Sequence, residues 1–204
     1  MKKLGKALCL ALILSILLSF TGFAAVCEEI PSQVLRLHVL ANSDSAEDQS
    51  LKLKVRDRIL KESSGVMAGV GNLEGAEKAV SDRLQGLQKA AEDEIRRQGY
   101  DYPVAVSLGK TYFSTRVYGD VTLPAGEYDA LRVVIGTGKG HNWWCVIFPA
   151  LCLPAAEDKE QLEDVLSPNE LKIVRGKGNG GYEIKFKTVE YYERLKRWMG
   201  TARS

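Results

Sequence analysis

The sequence predicts an α+β fold: one domain in which a mainly antiparallel sheet is packed with about three helices. Three observations lead there. Short runs such as Val34–Leu40, Glu127–Ile135 and Trp143–Phe148 alternate apolar and polar residues and are rich in β-branched side chains, as half-buried strands are. Two longer stretches carry apolar residues at spacings of three and four, the helical period. Helices and strands do not alternate strictly, and adjacent hairpin signals favour a segregated α+β arrangement over a parallel doubly wound sheet.

The N-terminal 24 residues read as an export segment. Lys2, Lys3 and Lys6 precede an apolar run from Ala7, and Gly22 and Ala24 are the small residues of a cut after Ala24. A retained membrane anchor is the competing reading, because Ala7–Val26 is about the length that spans a bilayer. Either way the remaining chain, about residues 30–200, is expected outside the cytoplasm. Without those three lysines the 28 basic residues become 25 against 26 acidic ones, a net charge near −1. A near-neutral domain lacks the basic excess that nucleic-acid binding calls for.

The elements follow in order. Leu35, Leu37 and Val39 share one face of the first strand, and Arg36 and His38 the other. Asn42-Ser43-Asp44-Ser45 ends it, and Ser45 with Asp48 resembles a capping box. A helix is predicted over Ala46–Glu62 on the stripe Leu51, Val55, Ile59, then a glycine-broken loop, Ser63–Gly71. A second helix spans Leu73–Gln98, with Gly99 as its C-terminal cap. Val104–Leu108 and Tyr112–Tyr118 read as a hairpin about Gly109-Lys110-Thr111. In Glu127–Ile135, Leu131, Val133 and Ile135 face one way, and Tyr128, Ala130 and Arg132 the other. An acidic loop or short helix, Ala155–Leu166, precedes a second predicted hairpin, Leu171–Val174 with Tyr182–Phe186, turning at Arg175–Gly181. A last helix, Thr188–Met199, has Tyr191, Tyr192, Leu195, Trp198 and Met199 on its apolar side.

The segment Gly136–Leu153, GTGKGHNWWCVIFPALCL, holds two of the three tryptophans. Adjacent strand residues point to opposite faces, so the tandem rings must part. Parity groups Trp144 with Val146 and Phe148, predicted to share a core with Leu35, Leu37 and Val39. Trp143 is then predicted to face outward, on the side of Arg36 and His38. The glycines do not form a phosphate loop, because a strand rather than a helix follows them. Export favours a Cys145–Cys152 disulfide worth up to about 2–3 kcal/mol, against the alternative of two reduced buried cysteines. Cys27 is expected unpaired. His141 and Cys145 alone do not make a nucleophile site, which also needs an oxyanion hole. His38 and His141, the only histidines, lack the spacing of a zinc site. No catalytic residue, cofactor or metal is assigned. Arg36, Arg116 and Arg132 lie on the non-core strand face; they either line a contact surface with His38 or form salt bridges under helices.

LRLHVLANSDSAEDQSLKLKVRDRIL (Leu35–Leu60), YPVAVSLGKTYFSTRVYGDVTLPAGEYDALRVVIGTGKGHNWWCVIFPALC (Tyr102–Cys152) and IKFKTVEYYERLKRW (Ile184–Trp198) together resemble the stage II sporulation protein R family over nearly the whole exported part. One departure is Ala150, where a second proline is expected. The resemblance implies a protein made in the forespore of an endospore-forming bacterium and exported into the space between the two septal membranes. There it would activate a membrane-embedded aspartic protease of the mother cell, which processes the precursor of the early mother-cell sigma factor, sigma-E. It would be a signal rather than an enzyme, touching membrane only through its N-terminal segment. The candidate contact residues are Arg36, His38, Asn42, Arg132, His141, Asn142 and Trp143. Rival classes are an extracytoplasmic hydrolase using Cys145 or His141, and a passive wall-binding module with exposed aromatics.

Overall fold

The computed structural model describes residues 2–67, 69–151, 165–176 and 180–201. The fold is α+β. Its contacts divide the chain into two compact units, a sheet unit (31–112 and 127–166) and a helical unit (1–30, 113–126 and 167–204).

The sheet unit is built on β1 (Leu35–Leu40), β2 (Val104–Phe113), β5 (Gly126–Ile135) and β6 (Asn142–Phe148), in the order β2-β5-β1-β6. Strand β1 runs parallel to β5 and antiparallel to β6. Its central position explains why Leu35–Val39 are all buried, not only the alternate residues. Two helices, α2 (Ala46–Met67) and α3 (Leu73–Arg97), pack on each other and on one sheet face. Leu51, Val55 and Ile59 of α2, and Ala76, Val80, Leu87, Ala91 and Ile95 of α3, form one core with Leu35, Leu37, Val39, Leu131 and Val133. Truncating one of these leucines to alanine would cost about 2–5 kcal/mol.

The helix ends follow their sequence signals. The Ser45 hydroxyl accepts from the Asp48 amide at 3.1 Å, and Asn72 Oδ1 from the Gly75 amide at 2.8 Å. Gly99, with φ +82°, follows the end of α3 as expected. Helix α2 continues to Met67, through Ser63, Ser64 and Gly65, where a loop was expected. Ser63 and Met67 are buried there, so tertiary packing carries the helix through weak formers.

Two expected hairpins are corrected. Val104–Phe113 is one continuous edge strand, and Gly109 lies within it at an exposed position instead of turning the chain. The turn falls later: β3 (Arg116–Tyr118) and β4 (Val121–Leu123) pair antiparallel around Gly119, φ +60°. The second expected hairpin is helical. It consists of α4 (Pro168–Val174) and α5 (Gly180–Thr201). Ser167 and Glu170 close a full capping box, with Pro168 in the first turn, and that start signal outweighs the β-branched pair Ile173-Val174. The expected acidic segment lies largely outside the described residues, as do Cys152 and residues 177–179 of the expected turn.

The helical unit contains α1 (Lys2–Glu29), the β3–β4 hairpin, α4 and α5. The Phe23 and Phe186 rings meet edge to face at 5.2 Å, and Lys196 reaches Glu28 at 3.3 Å, so the end of α1 is packed along α5. Cys27 is a free, buried thiol, and burial pushes its pKa up to about 12. Among the described residues no helix is long and apolar enough to cross a membrane; the side chains of residues 8, 9, 12, 13 and 16–20, within the apolar run, are not among them.

Candidate functional site: a tied pair of loops beside an exposed tryptophan

The loop leaving β1 (Ala41–Ser45) and the glycine loop before β6 (Gly136–His141) are tied together. Asn42 does most of this. Its Oδ1 accepts from the Thr137 amide at 3.0 Å, and its Nδ2 donates to Asp48 at 2.9 Å. Its main-chain carbonyl accepts from the Thr137 hydroxyl at 2.8 Å and the Lys139 amide at 3.3 Å. The Gly140 amide adds a bond to the Ala41 carbonyl at 2.9 Å.

The glycines are needed for this closeness. Gly136 and Gly138 have φ of +57° and +64°, where side chains are disfavoured. A Cβ on Gly136 would collide with the Asn42 side chain, and one on Gly140 with the Ser43 carbonyl. The loop is thus a fitted partner of the β1 exit, and the amides of Thr137, Lys139 and Gly140 are engaged within the protein.

Charged groups complete the knot. Asp48 is buried and accepts from the Ser43 hydroxyl at 2.5 Å and from Asn42. Those bonds, Ser43's first, and one from Tyr102 hold its carboxyl below the usual range. Asp48 therefore caps with its amide while its carboxylate turns away, so the expected capping box is only half made. Lys52, 5% exposed, donates to Gln49 Oε1 at 2.6 Å and to the His141 carbonyl at 2.9 Å. Burial first, then Arg56, lowers its pKa. Asp44 Oδ1 meets both the amide and the ring Nδ1 of His141 at 2.5 Å, and this lowers the Asp44 pKa. With Nδ1 so engaged, the ring, 81% exposed, presents its other nitrogen outward.

Past this knot the chain enters β6, the edge strand. Val39 pairs with Trp143 and His38 with Trp144, so Trp143 shares the helix-bearing face and Trp144 shares the face of Arg36. That reverses the expected sharing of faces. A register shift between Leu35 and Arg36 sets Phe148 opposite Leu35 and Val146 opposite Arg36. Simple parity along β6 does not carry through such a shift. Trp143 is nonetheless the more exposed ring, at 38%. The Arg56 guanidinium of α2 lies 4.2 Å from its centroid and pairs with Asp57 at 2.6 Å.

The candidate contact residues therefore separate. His141, Asn142 and Trp143 are consecutive and exposed, and Asn42 is bonded to Thr137 in the loop that leads into them. Arg36 and His38 are buried on the other sheet face, which corrects their placement beside Trp143 on an open surface. Arg36 stacks at 4.7 Å on Tyr128, and His38 meets Trp144 edge to face at 5.8 Å. Burial, then Arg132 and Arg36, lowers the His38 pKa to about 4. Arg132 pairs with His38 in the ladder and is exposed. Sequence reasoning missed Asp44, Lys52, Arg56 and Thr137 as members of this site; only the Ser45–Asp48 spacing hinted at an ordered β1 exit.

Cys145 is buried. Among the described residues no three His, Cys, Asp or Glu side chains gather to hold a metal ion.

Comparison with known proteins completes the description. The family described as Stage II sporulation protein R matches residues 31–158. A protein of Bacillus subtilis (strain 168) named Stage II sporulation protein R is 35% identical over 185 residues, covering 81% of this chain and 83% of its own length. No solved structure matches.

Proposed function

Because the chain belongs to the stage II sporulation protein R family, we propose that it is an exported signalling protein that switches on a membrane-embedded aspartic protease. That protease would process the precursor of the early mother-cell sigma factor, sigma-E, and the site of action would be the space between forespore and mother cell. The basic-then-apolar N-terminus supports export. In this reading the protein binds and does not catalyse.

The observation that carries the reading is the exposed run His141-Asn142-Trp143 mounted on the hydrogen-bonded knot. Its polar groups are spent on each other: Asp44 on His141, Asp48 on Asn42 and Ser43, Lys52 on Gln49 and the His141 carbonyl. Such an arrangement displays a surface of fixed shape. An exposed tryptophan beside a fixed arginine is the kind of anchor on which protein interfaces concentrate their energy. In the same reading Cys145 pairs with Cys152, a partner that an oxidising space would favour.

The test is co-expression with the protease and its sigma-factor precursor in a host that does not sporulate. Processing that requires this protein supports the proposal. Processing that proceeds equally without it rejects it.

A further inference from the structure

The sequence assigns Tyr191, Tyr192, Leu195, Trp198 and Met199 to the apolar side of the last helix, but that side of α5 is not its packed side. Ile184, Tyr191, Tyr192, Leu195, Trp198 and Met199 are all exposed, while Phe186, Val189 and Glu193 are buried. At roughly 100° per residue, the six exposed residues fall within an arc of about 120°, centred some 150° from the buried three. Lys185 and Lys196 border this arc on one side, Lys187 and Arg194 on the other. The acidic residues Glu190 and Glu193 lie toward its back.

An apolar arc holding two tyrosines and a tryptophan, edged on both sides by lysine and arginine, has the composition of a helix lying in a membrane interface. Aromatic rings favour the headgroup level, and long basic side chains reach from the apolar boundary to anionic headgroups. Lys187 pairs with Glu190 at 3.6 Å and Lys196 with Glu28 at 3.3 Å, yet both lysines stay more than half exposed along the edges of the arc, where a protein groove would not need them. We propose that α5 lies on an anionic lipid surface through this face. The arc lies away from α5's buried side, where Phe186 meets Phe23, so the contact stands whether or not the leader is cut. It is also independent of protease activation.

The test uses the full chain with phosphatidylglycerol-containing vesicles, in which part of the lipid is brominated in the upper acyl chain. Bromine quenches only tryptophans that reach the bilayer, and Trp198→Phe removes the one on α5. The expected result is tryptophan quenching that is largely lost in Trp198→Phe, with an unchanged melting temperature. Lys187→Gln combined with Arg194→Gln should weaken that quenching titration about thirtyfold, at about 1 kcal/mol per basic residue. Quenching that is absent, or equal in Trp198→Phe, overturns the proposal even if the chain sediments with vesicles through α1. Quenching of equal strength on uncharged phosphatidylcholine vesicles overturns the assignment to anionic lipid.

Discussion

Asn42 and Thr137 hold each other twice, side-chain carbonyl to amide at 3.0 Å and hydroxyl to main-chain carbonyl at 2.8 Å. The pair is 95 residues apart in sequence and joins the exit of β1 to the entrance of β6. It fixes where His141, Asn142 and Trp143 stand.

Asn42→Ala removes one acceptor from Thr137 and one donor from buried Asp48. Each lost partner costs about 1–3 kcal/mol when the group left behind is shielded from water. The expected result is a chain that still folds but melts several degrees lower. Gly136→Ala should do the same by a different route, forcing a side chain into positive φ and onto Asn42. Thermal melts of both check this; a melt unchanged in both would show that the knot is not under tension from either side.

The tandem tryptophans should separate in stability. Trp143 is 38% exposed, and its contact with Arg56 is worth about 0.5–1 kcal/mol. Trp144 is half-buried against His38. Trp144→Ala should therefore cost about 3 kcal/mol, and Trp143→Ala about 1. Chemical denaturation of the two variants reads the difference.

His38 gives the fold an acid-side weakness. Its folded pKa lies near 4, below the ordinary 6.5, because burial and the neighbouring arginines Arg132 and Arg36 disfavour the charged ring. A lowered histidine pKa means that the folded state binds the proton less well than the unfolded chain. The contribution is fully present above pH 6.5 and is lost as pH falls from there to about 4. Its size is at most about 3 kcal/mol before solvent screening is discounted. His38→Gln should flatten the fall in unfolding free energy between pH 7 and 4.5. An equal fall in both proteins would contradict the assignment.

A disulfide should join Cys145 to Cys152, leaving Cys27 reduced. Mass spectrometry with and without reduction should show a gain of two hydrogens, and denaturation should expose one thiol in the exported chain. Breaking the bond should cost about 2–3 kcal/mol. Two alkylated thiols at Cys145 and Cys152 in the unreduced, denatured protein would exclude the pairing.

Much of the sheet unit was legible because its signals agree across levels. Helix α3 had its period and its Gly99 stop; β5 had clean alternation. The helical unit was less so. Ser167-Pro168-Asn169-Glu170 is a helix start, yet Ile173-Val174 beside a glycine-rich run suggested a hairpin. Gly109 suggested a turn, but an edge strand tolerates it. On α5 the periodicity gave the apolar side but not its environment, because it tells which residues share a face and not what covers it. The same gap misplaced Trp143. Both faces of β1 are buried, so hydrophobicity could not say which face bears the helices, and the register shift beside Leu35 broke the parity count. Asp44 and Lys52 were invisible because their partners lie on a loop about 90 residues away.

The central claim is that His141, Asn142 and Trp143 form the activating surface. The most direct measurement is sigma-factor precursor processing in the co-expression host, comparing the unaltered protein with Trp143→Ala and His141→Ala at matched secreted amounts. The account predicts processing with the unaltered protein and a loss of at least about tenfold in Trp143→Ala, the effect of removing an interface anchor worth 1.4 kcal/mol or more. Full processing by both folded variants would contradict it.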